Sequence, residues 1–306
     1  MIDQQVAQLD SLSLGQTVGF LWSLPLISER IMKIAAFNIQ KFGKRKLSDP
    51  AVVQTLIKIV SRYDIILILE VVDASGKAVD NFMKKLNKAN PQHQYSMKLS
   101  VRLGRTIYKE QFLFLYRGDV VKVTDTYQYE DNQPGDVDAF DREPYILHFS
   151  APNTVVKNLV LVPVHTKPED SEKEVDELYD VVMTVKDKWK TNNIMILGDF
   201  NADGSYVSKK EMKAIRIYTD KNFHWLITDN VDTTTSTKND HTYDRIVVYG
   251  QKLLDAVVPN SAKPFNFPQE YGLNEPDALK VSDHYPVEVE LKERNASGPK
   301  SAKRRK

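Results

Sequence analysis

Cysteine is missing from all 306 residues. Its absence rules out a disulfide framework, a thiolate metal site and a cysteine nucleophile, and it permits a reducing compartment, cytoplasmic or nuclear. Glycine is scarce, with 12 in the chain, and none of them builds a Gly-rich phosphate loop. Long hydrophobic runs are lacking too. The patch from Val18 to Ile27 is too short to span a bilayer, and its upstream flank carries Asp3 and Asp10 but no Lys or Arg, the wrong pattern for a secretory signal. No membrane partner is expected. Net charge is nearly absent, 42 basic against 41 acidic residues, but the balance is uneven. Residues 292–306 hold seven Lys/Arg and one Glu, which leaves 35 basic and 40 acidic residues for the rest. With 42% hydrophobic content the chain can bury a sizeable core. The expected organisation is an N-terminal extension (1–31), one catalytic domain (32–292) and a basic C-terminal tail (293–306).

What is present is a set of buried-strand patterns that each end in a polar residue. Ile194-Met195-Ile196-Leu197-Gly198 leads into Asp199-Phe200-Asn201-Ala202-Asp203, where period two puts Asp199 and Asn201 on one face. Carboxylate and amide oxygens at a strand end suit a hard cation and an activated water, although such a string also occurs as a plain polar turn. Ile34 to Ile39 is an apolar run interrupted by Asn38, a buried amide that has to be hydrogen-bonded or functional. Residues 51–62 carry a helical stripe of Val52, Val53, Leu56, Ile57 and Val60, and the next strand pattern, from Asp64, closes on Glu70. Leu159 to Val164 ends at His165. A lone histidine is more often structural, but this one shares its strand-end position with Asn38, Glu70 and Asp199. Ser171-Glu172-Lys173-Glu174 predicts a capping box opening a helix. Strands that deliver polar residues to their ends are how an α/β sheet assembles a site.

Other stretches leave two readings open. Arg102 to Glu110 (RLGRTIYKE) is basic with one aromatic, as in a phosphate-facing loop or a merely solvated one. The loop containing Glu130, Asp131, Asp136, Asp138, Asp141 and Glu143 is acidic enough to bind Ca²⁺ or simply to be hydrated. Downstream come Asp232 to Thr237, rich in hydroxyls, then Tyr243-Asp244-Arg245-Ile246-Val247-Val248 and Ser282-Asp283-His284-Tyr285-Pro286.

Taken in order, Asn38, Glu70, RLGRTIYKEQ with Glu110, His165, LGDFNAD, YDRIVV and SDHYP resemble the deoxyribonuclease I family of the endonuclease/exonuclease/phosphatase superfamily. The resemblance runs from about Met32 to Leu291, and the basic tail is similar to that of deoxyribonuclease gamma-like members. It implies an α/β (α+β) fold, a four-layer αββα sandwich of the DNase I-like type with its cleft at one edge. It also implies a divalent-cation-dependent endonuclease that hydrolyses DNA phosphodiester bonds to 5′-phosphate and 3′-hydroxyl ends with little sequence specificity. Other branches of the superfamily, such as abasic-site endonucleases and inositol phosphatases, share the core set. A non-catalytic DNA-binding relative would be expected to have lost one of its members, and none is lost.

By the same resemblance, Asn38 and Glu70 would hold Mg²⁺ (or Mn²⁺), with Asp283 completing that side. His165, oriented by Glu110, would be general acid for the 3′-oxygen, and His284, oriented by Asp244, the base or phosphate-binding partner. The division of labour between the histidines stays open. Asp199 and Asn201 would position water or a second cation. Structural Ca²⁺ maps to Asp131, Asp138 and Glu143, and in a second loop to Asp232 and Thr234. Contacts to double-stranded DNA map to Arg105, Tyr108, Arg142 and Tyr206.

Three departures carry further expectations. Gln40 and Val72 stand where family members usually carry arginine, so DNA contacts are expected to be weaker or differently placed. Lys98 lies in the short apolar edge that actin-binding members present, and Tyr145 replaces a small residue, so actin binding is not expected. Secreted members carry a disulfide between the positions of Gly204 and His241, where no bond can form here. A monomer is expected.

Overall fold

The computed structural model describes residues 31–131 and 138–294. The expected extension, apart from Ile31, and the expected tail, apart from Glu293 and Arg294, lie outside the described residues. Twelve strands are described: β1 (Ile31–Phe42), β2 (Ile65–Val71), β3 (Tyr95–Leu99), β4 (Gln111–Arg117), β5 (Lys122–Gln128), β6 (Tyr145–Ala151), β7 (Lys157–His165), β8 (Ile194–Asp199), β9 (Phe223–Trp225), β10 (Asp244–Tyr249), β11 (Lys263–Pro264) and β12 (Val287–Lys292). They form two six-stranded mixed sheets, ordered β11-β12-β1-β2-β4-β3 and β5-β6-β7-β8-β10-β9. The main helices are α1 (Pro50–Val60), α2 (Lys77–Ala89) and α3 (Ser171–Trp189).

The near-continuous apolar strands follow from burial on both faces. Along β1, Met32, Ile34 and Ala36 enter the core between the sheets, while Ala35, Phe37 and Ile39 point to the layer of α1 and α2. In β8 the same alternation sends Met195 and Leu197 between the sheets and Ile194 and Ile196 towards α3. Each helix returns one apolar stripe: Val52, Val53, Leu56 and Val60 from α1, and Val175, Leu178, Val182 and Val185 from α3. The result is the expected four-layer αββα sandwich. Among the described residues no helix is long and apolar enough to cross a membrane.

Helix starts follow local chemistry, with one correction. Asp49 caps α1 by accepting from the Ala51 and Val52 amides, with proline at the first turn. The capping box expected at Ser171 does not form. A 3₁₀ turn over Pro168–Asp170 runs straight into the helix, so Asp170 is the N-cap and Ser171 the first helical residue; the Glu174 carboxylate reaches the Lys167 amide (3.0 Å) and Ser171 bonds the Lys167 and Pro168 carbonyls. The box that does form is Ser208 with Glu211, on a single-turn helix.

The topology sets the site. β1 and β2 run parallel, as do β7 and β8, so their C-terminal ends come out on one edge. β10 and β12 are antiparallel to these neighbours and enter where the others leave, as β4 does beside β2. Asn38, Glu70, His165 and Asp199 therefore meet residues at or just before a strand start: Glu110, Asp244 and His284.

Candidate active site

Register brings His165, Asp199 and Asp244 side by side across three neighbouring strands. Strand spacing is about 4.8 Å, close enough for their polar atoms to converge. Gly198 makes this possible. It has φ +137°, and a Cβ there would sit 2.0 Å from the Val164 carbonyl oxygen, so only glycine lets β8 approach β7 so closely beside His165. The other sheet joins through Asn38, whose Nδ2 donates to Asp199 Oδ2 (3.1 Å) and Glu70 Oε1 (3.0 Å). Glu70 has φ +57° beside an irregularity in the β2–β4 register, a strained backbone that redirects its carboxylate out of the sheet. Its second oxygen accepts from the Lys41 amide (2.9 Å).

Two histidine–carboxylate pairs flank Asp199. His165 Nδ1 bonds Glu110 Oε2 at 2.7 Å, and His284 Nδ1 bonds Asp244 Oδ2 at 2.7 Å. Each Nε2 then faces Asp199 Oδ2, at 3.8 Å from His165 and 3.7 Å from His284. Burial disfavours charge on His284, but Asp244 and Asp199 outweigh it and push the imidazole up to about 10. Burial raises Asp244 to about 6 against the pull of His284. For His165, burial and the nearby Arg142 oppose protonation, while Glu110 and Asp199 carry it above its ordinary value. Burial works against the Glu110 charge, yet His165 and Arg142 hold the carboxylate below its usual range.

The remaining expected site residues are close by. Asn201 donates its backbone N–H to Asp199 Oδ1 (3.0 Å) and its side chain to the Thr166 carbonyl (3.1 Å). Asp283 accepts from Gln40 Nε2 (2.9 Å), so the glutamine at an arginine position orients a carboxylate of the site. The donor set fits a hard divalent cation. Glu70, Asp199, Asp244 and Asp283 supply anionic oxygens, and among the described residues Oδ1 of both Asp244 and Asp283 is buried without a hydrogen-bond partner. Asp199, Asp244 and His284 each place a ligand-type atom within 4.8 Å of the others. Asn38 turns its amide nitrogen to the carboxylates and its oxygen to the Gln40 amide (2.9 Å), so as placed it holds Glu70 and Asp199.

Tyr108 and Tyr206 are exposed, and Tyr206 rests against Tyr243, which leans towards His284. The two arginines assigned to DNA already have partners. Arg105 bonds Asp138 Oδ1 (2.6 Å) and the Phe140 carbonyl (2.9 Å). Arg142 donates to the carbonyls of His165 (3.0 Å) and Thr166 (3.2 Å) and stands 3.6 Å from Glu110. Asp131, Asp138 and Glu143 line one pocket of about 340 Å³. Asp131 Oδ2 accepts from the Ala139 and Phe140 amides, and among the described residues Oδ1 is buried without a hydrogen-bond partner. Asp232 accepts from the amide and hydroxyl of its own loop's Thr234, and Thr234 bridges to His284. Gly204 and His241 lie together: a Cβ on Gly204 would be 2.8 Å from the imidazole, which stacks on Tyr243.

Sequence reading missed Lys46 and gave no role to Ser282. The Lys46 ammonium ties the Ile39 carbonyl (2.7 Å) to that of Val281 (2.6 Å), fixing the chain next to Asn38 against the chain next to Asp283. Burial lowers it to about 8 despite Asp283 and Glu70 nearby. The Ser282 hydroxyl adds a second tie, to the Asn38 carbonyl (2.6 Å). In the sequence Lys46 is one of three closely spaced basic residues, and nothing there separates a buried lysine from solvated ones.

Comparison with known proteins agrees with this geometry. The family model described as the Endonuclease/Exonuclease/phosphatase family matches residues 35–284. Human deoxyribonuclease gamma is 44% identical over 274 residues, covering 89% of this chain and 90% of its own length. Deoxyribonuclease-1 of Oryctolagus cuniculus is 48% identical over 261 residues, covering 85% and 92%. Among solved structures, the endonuclease/exonuclease/phosphatase from Bacteroides vulgatus superposes with a TM-score of 0.58 at 16% identity, covering 87% of this chain and all of that one, a likeness of fold. On these matches the chain belongs to the endonuclease/exonuclease/phosphatase family and, within it, to the deoxyribonuclease I family.

Proposed function

We propose that this protein is a divalent-cation-dependent endonuclease that hydrolyses double-stranded DNA to 5′-phosphate and 3′-hydroxyl ends with little sequence specificity. The observation that carries the reading is the pair of buried histidine–carboxylate couples facing one aspartate from opposite sides. Hydrolysis of a phosphodiester needs an acid for the leaving oxygen, a positioned water and compensation for charge developing on phosphorus. Bound Mg²⁺ or Mn²⁺, held by Glu70 and Asp283 with Asn38 orienting Glu70, would supply part of that compensation.

The protein's own groups divide the rest. His165, with Nδ1 occupied by Glu110, presents Nε2 to the cleft. Arg142 behind it makes the imidazolium readier to release its proton, which suits the acid that protonates the 3′-oxygen. His284 is held charged by Asp244 and Asp199, which suits binding of the phosphate oxygens. Asp199, fixed by the Asn38 side chain and the Asn201 amide, orients the attacking water between the two imidazoles. Exposed Tyr108 and Tyr206 border the cleft as surfaces for sugar or base. Arg105 and Arg142 act through the loops they brace. Ca²⁺ at Asp131, Asp138 and Glu143 would hold the loop that carries Arg142, and a weaker site at Asp232 and Thr234 would do the same beneath His284.

Supercoiled plasmid incubated with Mg²⁺ should be nicked and then linearised, chelator should abolish the reaction, and the ends should be ligatable without phosphorylation. Cleavage that persists in excess chelator, or ends that need phosphorylation before ligation, would overturn the proposal. Equimolar actin should leave the rate unchanged, because Lys98 puts an ammonium on edge strand β3.

A further inference from the structure

On the flank of the first sheet, the loops that follow Asn38 and Glu70 open into a groove of about 800 Å³ between α1 and α2. The loops are packed together where they leave the active edge: the Val72 amide donates to the Phe42 carbonyl (2.9 Å), and a Cβ on Gly43 would meet the Val72 side chain at 3.0 Å. The groove is thus a continuation of the catalytic edge. Its floor includes Leu47 and Phe82, and its walls carry Lys44, Lys77, Lys84 and Lys85. Lys77, Lys84 and Lys85 lie at i, i+7 and i+8 of α2 and so share one face, spread over about 12 Å of helix. All four lysines are exposed.

Charge separates this groove from its surroundings. Among the described residues the only carboxylate in its lining is Asp73, already consumed in accepting from the Ala78 and Val79 amides and the Ser75 hydroxyl. Elsewhere the body carries an excess of acidic residues. A row of exposed ammonium groups beginning at the catalytic edge complements a polyanion that leaves the cleft.

We propose that this groove is a second DNA-binding track, in which Lys44, Lys77, Lys84 and Lys85 contact the phosphates of the strand beyond the cleavage point. The proposal rests on DNA being the substrate. The track gives back, on the flank, phosphate contacts that Gln40 and Val72 do not make at the cleft, where Gln40 is bonded to Asp283 and both Arg105 and Arg142 are bonded within the protein. Lysine acts here as a point charge, so the track adds affinity without reading sequence.

The test compares a triple variant, Lys77→Ala with Lys84→Ala and Lys85→Ala, with the parent, each also carrying His165→Ala so that DNA is bound without appreciable cleavage. Dissociation constants for a labelled duplex are measured against salt. The slope of log affinity on log salt should fall by about 0.9 for each phosphate that is no longer neutralised, and affinity at low salt by about tenfold. With His165 intact, the triple variant should hydrolyse a small chromogenic phosphodiester at the parental rate and melt at the parental temperature. An unchanged salt slope would overturn the track, including the case in which the groove serves an acidic protein instead. Slowed turnover of the small diester would also overturn it, by placing the lysines' effect in the catalytic centre. If the parent cleaved the small diester but not DNA, the substrate reading itself would fail, separately from the track.

Discussion

His165 and His284 look like mirror images, each 2.7 Å from a carboxylate and nearly equidistant from Asp199, but the ground behind them differs. Behind His165 stands a cation: Arg142 lies 3.6 Å from Glu110 and bonds the histidine's own carbonyl. At His284 the partner itself differs: Asp244 is fully buried, among the described residues one of its oxygens has no hydrogen-bond partner, and burial raises its pKa to about 6. A carboxylate at the same distance therefore does not make the same acid. The next charge outward decides which imidazole releases a proton readily and which keeps it.

The sharpest way to break the comparison is to remove each ring. His165→Ala and His284→Ala should each lower plasmid nicking by roughly 10²–10⁴-fold, the range that positioned acid–base groups supply. Glu70→Ala should lose a comparable amount through its cation. The two histidine losses should part on an ester with a p-nitrophenolate leaving group, which needs no proton. His165→Ala should recover most of its rate there, and His284→Ala should not. The reverse pattern would exchange their roles.

A smaller effect isolates the outer charge. In Arg142→Met, a group that opposes His165 protonation is gone, so the imidazole pKa rises further and the basic limb of kcat/KM should move to higher pH. A limb that stays in place would mean that Arg142 only braces the loop. The same exchange should leave His284 untouched, which can be read from the two imidazole proton resonances.

Smaller still is the effect of the acidic loop. If Ca²⁺ occupies the pocket of Asp131, Asp138 and Glu143, removing it with Mg²⁺ retained should loosen the segment carrying Phe140 to Arg142 and disturb the His165 resonance more than that of His284. The melting temperature should fall on calcium removal and ignore thiol reductant, since the chain has no cysteine. At Gly204 and His241, where no disulfide can form, the imidazole packs over the glycine and stacks on Tyr243. A calcium-independent melt would remove the loop from the comparison.

The sequence by itself marked four central strands, β1, β2, β7 and β8, because burial on both faces leaves apolar runs in which Asn38, Glu70, His165 and Asp199 stand out as polar residues at or near the end. It also determined the family, because LGDFNAD, YDRIVV and SDHYP keep their order and content. Both are local properties of the chain. What only tertiary structure decided is non-local. Lys46 became a buried tie because two carbonyls from opposite ends of the domain, Ile39 and Val281, were folded onto its ammonium. Arg105 and Arg142 became braces because the 138–142 loop and the strand end at His165 lie within their reach. The Glu174 carboxylate turned from a helix cap into a clasp on Lys167 because a 3₁₀ turn displaced the start of α3. Even the inequality of the two histidines depends on charges brought from distant strands, since an electrostatic environment is a sum over neighbours in space and leaves no trace in residue spacing.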